Sequence, residues 1–141
     1  MILELHASPE EVMRAVETLQ EFGRERQVTE KDLFGLALAL EECGSNIVNH
    51  ALQRDPQRKF QVVIEHANGA MTLELRDPGP PFDPTVAPGF DPVENENEDR
   101  EPGGWGISLV RHYVDEIRYQ RELDQNVLRL TKRLSPGLQK K

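Results

Sequence analysis

The stretch that most constrains this chain runs from Leu38 to Ala51, because it reads as one helix with two different faces. Leu36, Ala37, Leu40, Ile47, Val48 and Ala51 recur at three- and four-residue spacing and form a stripe that can face a core. Glu42, Asn46 and His50 follow at i, i+4 and i+8 and line another face, about 160° round the helix from Leu40. A carboxylate, a carboxamide and an imidazole in one row can serve a polyphosphate site. Asn can offer its carbonyl oxygen to Mg²⁺, and Glu can orient a hydroxyl or water and accept its proton. The same row also reads as an ordinary solvated face. The helix alone does not decide between them.

The flanking sequence predicts the rest of the fold. Ile2, Leu3 and Leu5 suggest a short opening strand at a sheet edge. Ser8-Pro9-Glu10-Glu11 is a helix start: an N-cap, a proline at the first helical position, then acids against the positive helix end. Val12, Val16, Leu19 and Phe22 continue it as an amphipathic face towards Gln27. Thr29 to Asp32 is a second capping pattern, opening the central helix. The run Leu33 to Leu40 is apolar nearly all round, so this helix is expected to be sandwiched deeply. Gly35 and Gly44 inside it each cost about 1 kcal/mol relative to Ala, which close approach of another backbone or a ligand would explain.

After the break at Arg54 to Gln57, two alternating runs, Lys59 to His66 and Met71 to Leu75, flank Asn68-Gly69, a strong hairpin signal. The second run directs Met71, Leu73 and Leu75 to one face and delivers Asp77 at its end. Pro78 to Pro102 is rich in proline and glycine and then runs ENENEDRE, the composition of a lid, a binding loop or a disordered segment. Gly103 to Val114 reads as a helix. Ile117 and Tyr119 begin a strand, Leu123 to Asn126 turn it, and Val127 to Leu134 return. The expected fold is an α+β two-layer sandwich, with helices on one face of a mixed, mostly antiparallel sheet. Residues 1–134 form one domain, and the tail 135–141 is expected to be loose.

Composition narrows the function classes. A net charge of −8 without a basic block argues against nucleic-acid binding. It would also oppose a nucleotide, so Mg²⁺ and backbone dipoles must supply the positive field. Cys43 is the single cysteine and sits inside the key helix, where a small buried residue is the simpler reading than a nucleophile. No apolar run approaches the ~20 residues of a membrane span, and Met1 leads into LELHA without a signal-peptide pattern, so a cytoplasmic setting is expected. The histidines show no metal-ligand spacing.

Three motifs occur in order: E-x-x-x-N-x-x-x-H at Glu42, Asn46 and His50; D-x-G-x-x-F-D from Asp77 to Asp83; and G-G-x-G-I-x-L from Gly103 to Leu109. Together they resemble the asparagine box and two glycine boxes of the Bergerat-fold ATP-binding superfamily. Their form and the chain length look closest to the anti-sigma-factor serine kinases. That resemblance implies ATP and Mg²⁺ as cofactors, with a lid at about residues 84–102. It implies Glu42 as general base, Asn46 as Mg²⁺ ligand, Asp77 as acceptor for the adenine amine and Gly79 as the glycine that admits the base. Phe82 is expected to pack under the lid hinge, and Asp83 to hold loop structure. Gly103, Gly104, Gly106 and Ile107 open a helix whose amides and dipole can face phosphates. Asn126 stands near where many superfamily members place a threonine beside the adenine pocket. His50 lies near the phosphates or caps the helix, Arg100 faces phosphate or solvent, and Trp105 stacks on the lid or meets a partner.

The function implied is an ATP-dependent protein serine kinase that phosphorylates an anti-anti-sigma, STAS-like partner and can hold a sigma factor. The alternative is a nucleotide-responsive binding module without kinase activity. A homodimer through the edge strand at residues 2–6 is a further expectation.

Overall fold

The computed structural model describes residues 1–86 and 102–136, with the side chains of residues 86 and 102–106 excepted. Most of the expected lid, Arg100 and the tail beyond residue 136 lie outside the described residues, as does the Trp105 side chain. The element order is β1 (Ile2–His6), α1 (Pro9–Glu25), α2 (Glu30–Asn46), a π-helical turn (Ile47–Ala51), β2 (Lys59–Ala67), β3 (Ala70–Asp77), a short 3-10 turn (Pro84–Val86), α3 (Pro102–Tyr113), β4 (Glu116–Glu122) and β5 (Gln125–Arg133). Both helix starts form as their sequences require. The Ser8 and Thr29 hydroxyls accept from the backbone N–H groups of Glu11 and Asp32, satisfying donors that the first turn leaves unpaired.

The five strands run in the order β1-β2-β3-β5-β4, so β1 is an edge strand as expected. The expectation of a mixed sheet narrows here: all four pairings are antiparallel. Hairpins account for two of them, and β5 reaches β3 without a parallel crossover. Asn68 and Gly69 take φ of 54° and 76°, the left-handed pair that a tight two-residue hairpin needs. Leu73 stands opposite Ile64 on one side and Leu130 on the other, and all three are buried, so the core row crosses the sheet. The opposite face carries a charged ladder. Glu74 accepts from Arg76 at 2.7 Å and from Arg129 at 2.9 Å, and Arg76 also reaches Glu122 at 3.1 Å.

The helices cover the apolar face. Leu33, Leu36, Ala39, Leu40, Cys43 and Val48 are all fully or nearly fully buried in one core with α1 and the sheet. Phe34 is the exception in the apolar run; it lies exposed, its ring edge-on to Tyr113. The helix glycines answer to close packing. A Cβ at Gly35 would stand 3.1 Å from the Tyr113 ring, and one at Gly44 would stand 3.2 Å from Val12. α2 is therefore held by α1 on one flank and α3 on the other.

Asp32 has a role that its place in a capping pattern did not reveal. It is 3% exposed, and its carboxylate accepts from the Ser135 backbone N–H at 2.7 Å, with Lys132 Nζ 3.8 Å away. Ser135 is thus tied to the start of α2 rather than loose. Replacing Asp32 with Ala removes the buried carboxylate that accepts the part-buried Ser135 N–H. Denaturant unfolding is expected to show a loss of about 2 kcal/mol, and a change below a few tenths would contradict this assignment.

Candidate functional site

The site begins where β3 stops. The alternation that buries Met71, Leu73 and Leu75 also buries Asp77, which is 5% exposed. Pro78 cannot continue the ladder, so the chain turns away with the carboxylate still in the core's edge. Asp77 Oδ1 accepts the Gly79 N–H at 2.8 Å and the Asn126 amide N–H at 3.1 Å. Asp77 and Asn126 are directly opposed in the β3–β5 register, which explains how residues 49 positions apart meet. Among the described residues Oδ2 accepts no hydrogen bond. An ionisable oxygen that is buried and unpartnered is costly in a structure without function. It suits a ligand that brings an N–H donor.

Gly79 is buried against the end of the central helix. A Cβ there would fall 2.8 Å from Ala51 Cβ and 3.0 Å from the Ala51 carbonyl oxygen. The visible reason for this glycine is therefore contact between the loop and the helix end. Ala51 closes the π-helical turn that starts directly after Asn46. The turn is marked by Leu52 N–H donating to the Ile47 carbonyl at 2.8 Å, an i to i+5 bond. The continuous α-helix expected from Leu38 to Ala51 is thus α-helical only to Asn46. The change of pitch takes His50 off the ideal row, and it ends exposed, with no hydrogen bond to a helix carbonyl among the described residues.

Glu42 and Asn46 remain one α-turn apart, both half-buried. Neither side chain has a hydrogen-bond or ion-pair partner among the described residues. Burial holds the Glu42 carboxyl above its ordinary range, and the charge on Glu41 adds to the shift. Glu41 itself faces solvent. From Glu42 to Ala51 is roughly 13 Å along the axis, and Ala51 touches the Asp77 loop. An extended nucleoside triphosphate spans that distance. Cys43, between the two faces, is fully buried with its thiol pushed up to about 12, so it packs and does not react.

The loop after Asp77 is braced from the sheet. Arg121 on β4 donates to the Gly79 carbonyl at 2.8 Å, and the Phe82 N–H donates to Asn126 Oδ1 at 3.1 Å. Phe82 is 56% exposed, and its backbone is what the sheet end holds; most of the lid it was expected to pack under lies outside the described residues. Asp83 accepts from the Thr85 N–H at 2.9 Å and the Thr85 hydroxyl at 2.6 Å, fixing the 3-10 turn as expected. That turn lies against α3 and β4. Gly103, Gly104 and Gly106 fall in the first turns of α3, whose early amides have no helical partner. Ile107 is 3% exposed and belongs to the core, so only its backbone is available to a ligand. Tyr119 and Arg121, which no motif singled out, complete the site; only the strand register reveals them.

The residues therefore suit a magnesium nucleotide: an open buried acceptor at Asp77, an unpaired Asn46 carboxamide and a helix start at α3. Comparison with known proteins gives the family. A family model described as the histidine kinase-like ATPase domain matches residues 5–132. The serine/threonine-protein kinase BtrW of Bordetella bronchiseptica is 32% identical over 103 residues, which are 73% of this chain and 72% of BtrW. Among solved structures, that of the RsbU and RsbW domains of Rv1364c from Mycobacterium tuberculosis matches 97% of this chain with a TM-score of 0.70 at 19% identity. This chain spans 32% of that longer chain, and the likeness is one of fold. Fold, ordered motifs and the matched family agree that the chain belongs to the histidine kinase-like ATPase family.

Proposed function

We propose that this domain binds Mg²⁺·ATP and transfers its γ-phosphoryl group to a serine on an anti-anti-sigma, STAS-like partner. The observation that carries the reading is a pair of carboxylates with open oxygens among the described residues, Asp77 Oδ2 at a sheet end and Glu42 along the helix that touches its loop. Asp77 Oδ2 takes the exocyclic amine of adenine, and the triphosphate then runs along the polar face of α2. Glu42 accepts the proton of the serine hydroxyl as Oγ bonds to the γ-phosphorus and the bond to the β–γ bridging oxygen breaks, leaving ADP. The Asn46 carbonyl oxygen would hold Mg²⁺, which would supply charge neutralisation to the phosphates. The α3 amides add to that field.

A raised carboxyl suits a base that must work near neutrality without an ion-pair partner. The kinase name of BtrW supports the same reading; the net charge of −8 leaves Mg²⁺ and amides to attract the nucleotide. We place the protein in the cytoplasm, where Mg²⁺·ATP is available; no described helix is long and apolar enough to cross a membrane. A sigma factor as second partner and pairing of two copies along β1 belong to this proposal too.

Two outcomes test it. Glu42→Gln keeps shape and removes the base, so transfer to the partner serine should fall about 10²–10⁴-fold. Nucleotide affinity, by contrast, should stay within about two-fold. Unchanged transfer would remove Glu42 from the role. Partner binding that needs ATP but yields no phosphoserine by mass spectrometry would instead favour the regulatory module.

The same substitution has a stability signature. A carboxyl raised in the folded state binds its proton more tightly there than in the unfolded chain. The ionised Glu42 therefore costs stability above its ordinary value of 4.5. Glu42→Gln should raise the denaturant midpoint at about pH 8, and the gain should vanish as pH falls below that ordinary value. A gain that grows on acidification would contradict the burial argument.

A further inference from the structure

Asn126 has no hydrogen-bonding capacity left for a ligand. A carboxamide carries two N–H donors and two acceptor lone pairs. Its Nδ2 donates to Asp77 Oδ1 at 3.1 Å and to the Pro80 carbonyl at 2.9 Å, with the Gly79 carbonyl farther away at 3.5 Å. Its Oδ1 accepts from the Phe82 N–H at 3.1 Å and from the Tyr119 hydroxyl. The nitrogen faces only acceptors and the oxygen only donors, so the network fixes the amide's orientation. At 6% exposed, the group is also closed to water.

We propose that Asn126 is a positioning residue that sets base selectivity through Asp77 and touches no part of the nucleotide. The inference rests on the nucleotide reading above and deepens it. With Gly79 N–H, the Asn126 amide saturates Asp77 Oδ1. That prevents the carboxylate from rotating and leaves Oδ2 as its single open acceptor. The same amide pins the loop from Gly79 to Phe82 on its two sides, through the Pro80 carbonyl and the Phe82 N–H. Tyr119 orients Asn126 from the neighbouring strand, and Arg121 holds the Gly79 carbonyl. A threonine here would supply one donor, which cannot serve Asp77 and the Pro80 carbonyl together. This chain's loop and its asparagine are therefore matched. A base with an exocyclic amine meets an acceptor fixed in place, whereas one with a carbonyl at that position meets an oxygen that cannot turn away.

The test measures dissociation constants of Mg²⁺·ATP and Mg²⁺·ITP for wild type, Asn126→Ala, Tyr119→Phe and the double variant. ITP carries a carbonyl in place of the adenine amine. Wild type should prefer ATP. Asn126→Ala should weaken ATP about ten-fold and leave ITP nearly unchanged, so the preference collapses. Tyr119→Phe, which removes one hydroxyl and keeps the ring, should shift the preference the same way by less. The double variant should lose no more than Asn126→Ala, because both act through one network. An equal loss for both nucleotides, an intact ATP preference in Asn126→Ala, or fully additive losses would each overturn the inference. Intact preference in the variants beside a selective wild type overturns this inference alone; a wild type without preference overturns the nucleotide reading with it.

Discussion

The site depends on burying one carboxylate at the end of a central strand. Asp77 sits where the core row of β3 runs out, and the cost of burying its carboxyl group is offset by donors that converge on Oδ1 from two directions. The Gly79 N–H comes from its own loop and the Asn126 amide from β5, while Tyr119 and Arg121 on β4 steady those two donors. All but the Gly79 N–H need the antiparallel order β3-β5-β4. The sheet's sequence of pairings is therefore what makes an open acceptor possible at a nearly dry position.

The central helix then turns one acceptor into an extended site. Its apolar stripe is gripped by the sheet, by Val12 of α1 beside Gly44 and by Tyr113 of α3 beside Gly35. With that stripe fixed, Glu42 and Asn46 cannot drift, and they stay half-buried without partners of their own. The π-helical turn brings Ala51 against Gly79, joining the helix to the Asp77 loop. Stability and the proposed chemistry fall on opposite faces of the same turns. Burial that supports the core also raises Glu42, a cost that a purely structural helix would have no reason to bear.

Much of this was legible in the sequence. Caps, the Asn68-Gly69 hairpin, the edge strand and the alternation that delivers Asp77 follow from local chemistry, and each stands where expected. So does the structural role of Asp83, whose Asx-type bonds span two residues. Less legible features all depend on long-range pairing or on small differences in hydrogen-bond register. The π turn differs from an α turn by one bond partner, and no residue type announces it. Asn126 becomes a saturated brace only through β3–β5 register, and Asp32 meets Ser135 across 103 residues. The resemblance gave Phe82 a packing role, whereas what the sheet holds at this position is its backbone N–H. Ile107 follows the glycines of a ligand motif, yet its side chain serves the core.

The most direct measurement is a thermal melt with and without Mg²⁺·ATP, beside Asp77→Ala. Ligand at 100 times its dissociation constant adds about 2.7 kcal/mol to the folded state, or roughly 2–8 °C for a domain of this size. A Mg²⁺-dependent rise of that order in wild type, abolished in Asp77→Ala while the variant still melts cooperatively, is the expected result. No rise in wild type, or an equal rise in the variant, would contradict the assignment of the Asp77 pocket as the nucleotide site.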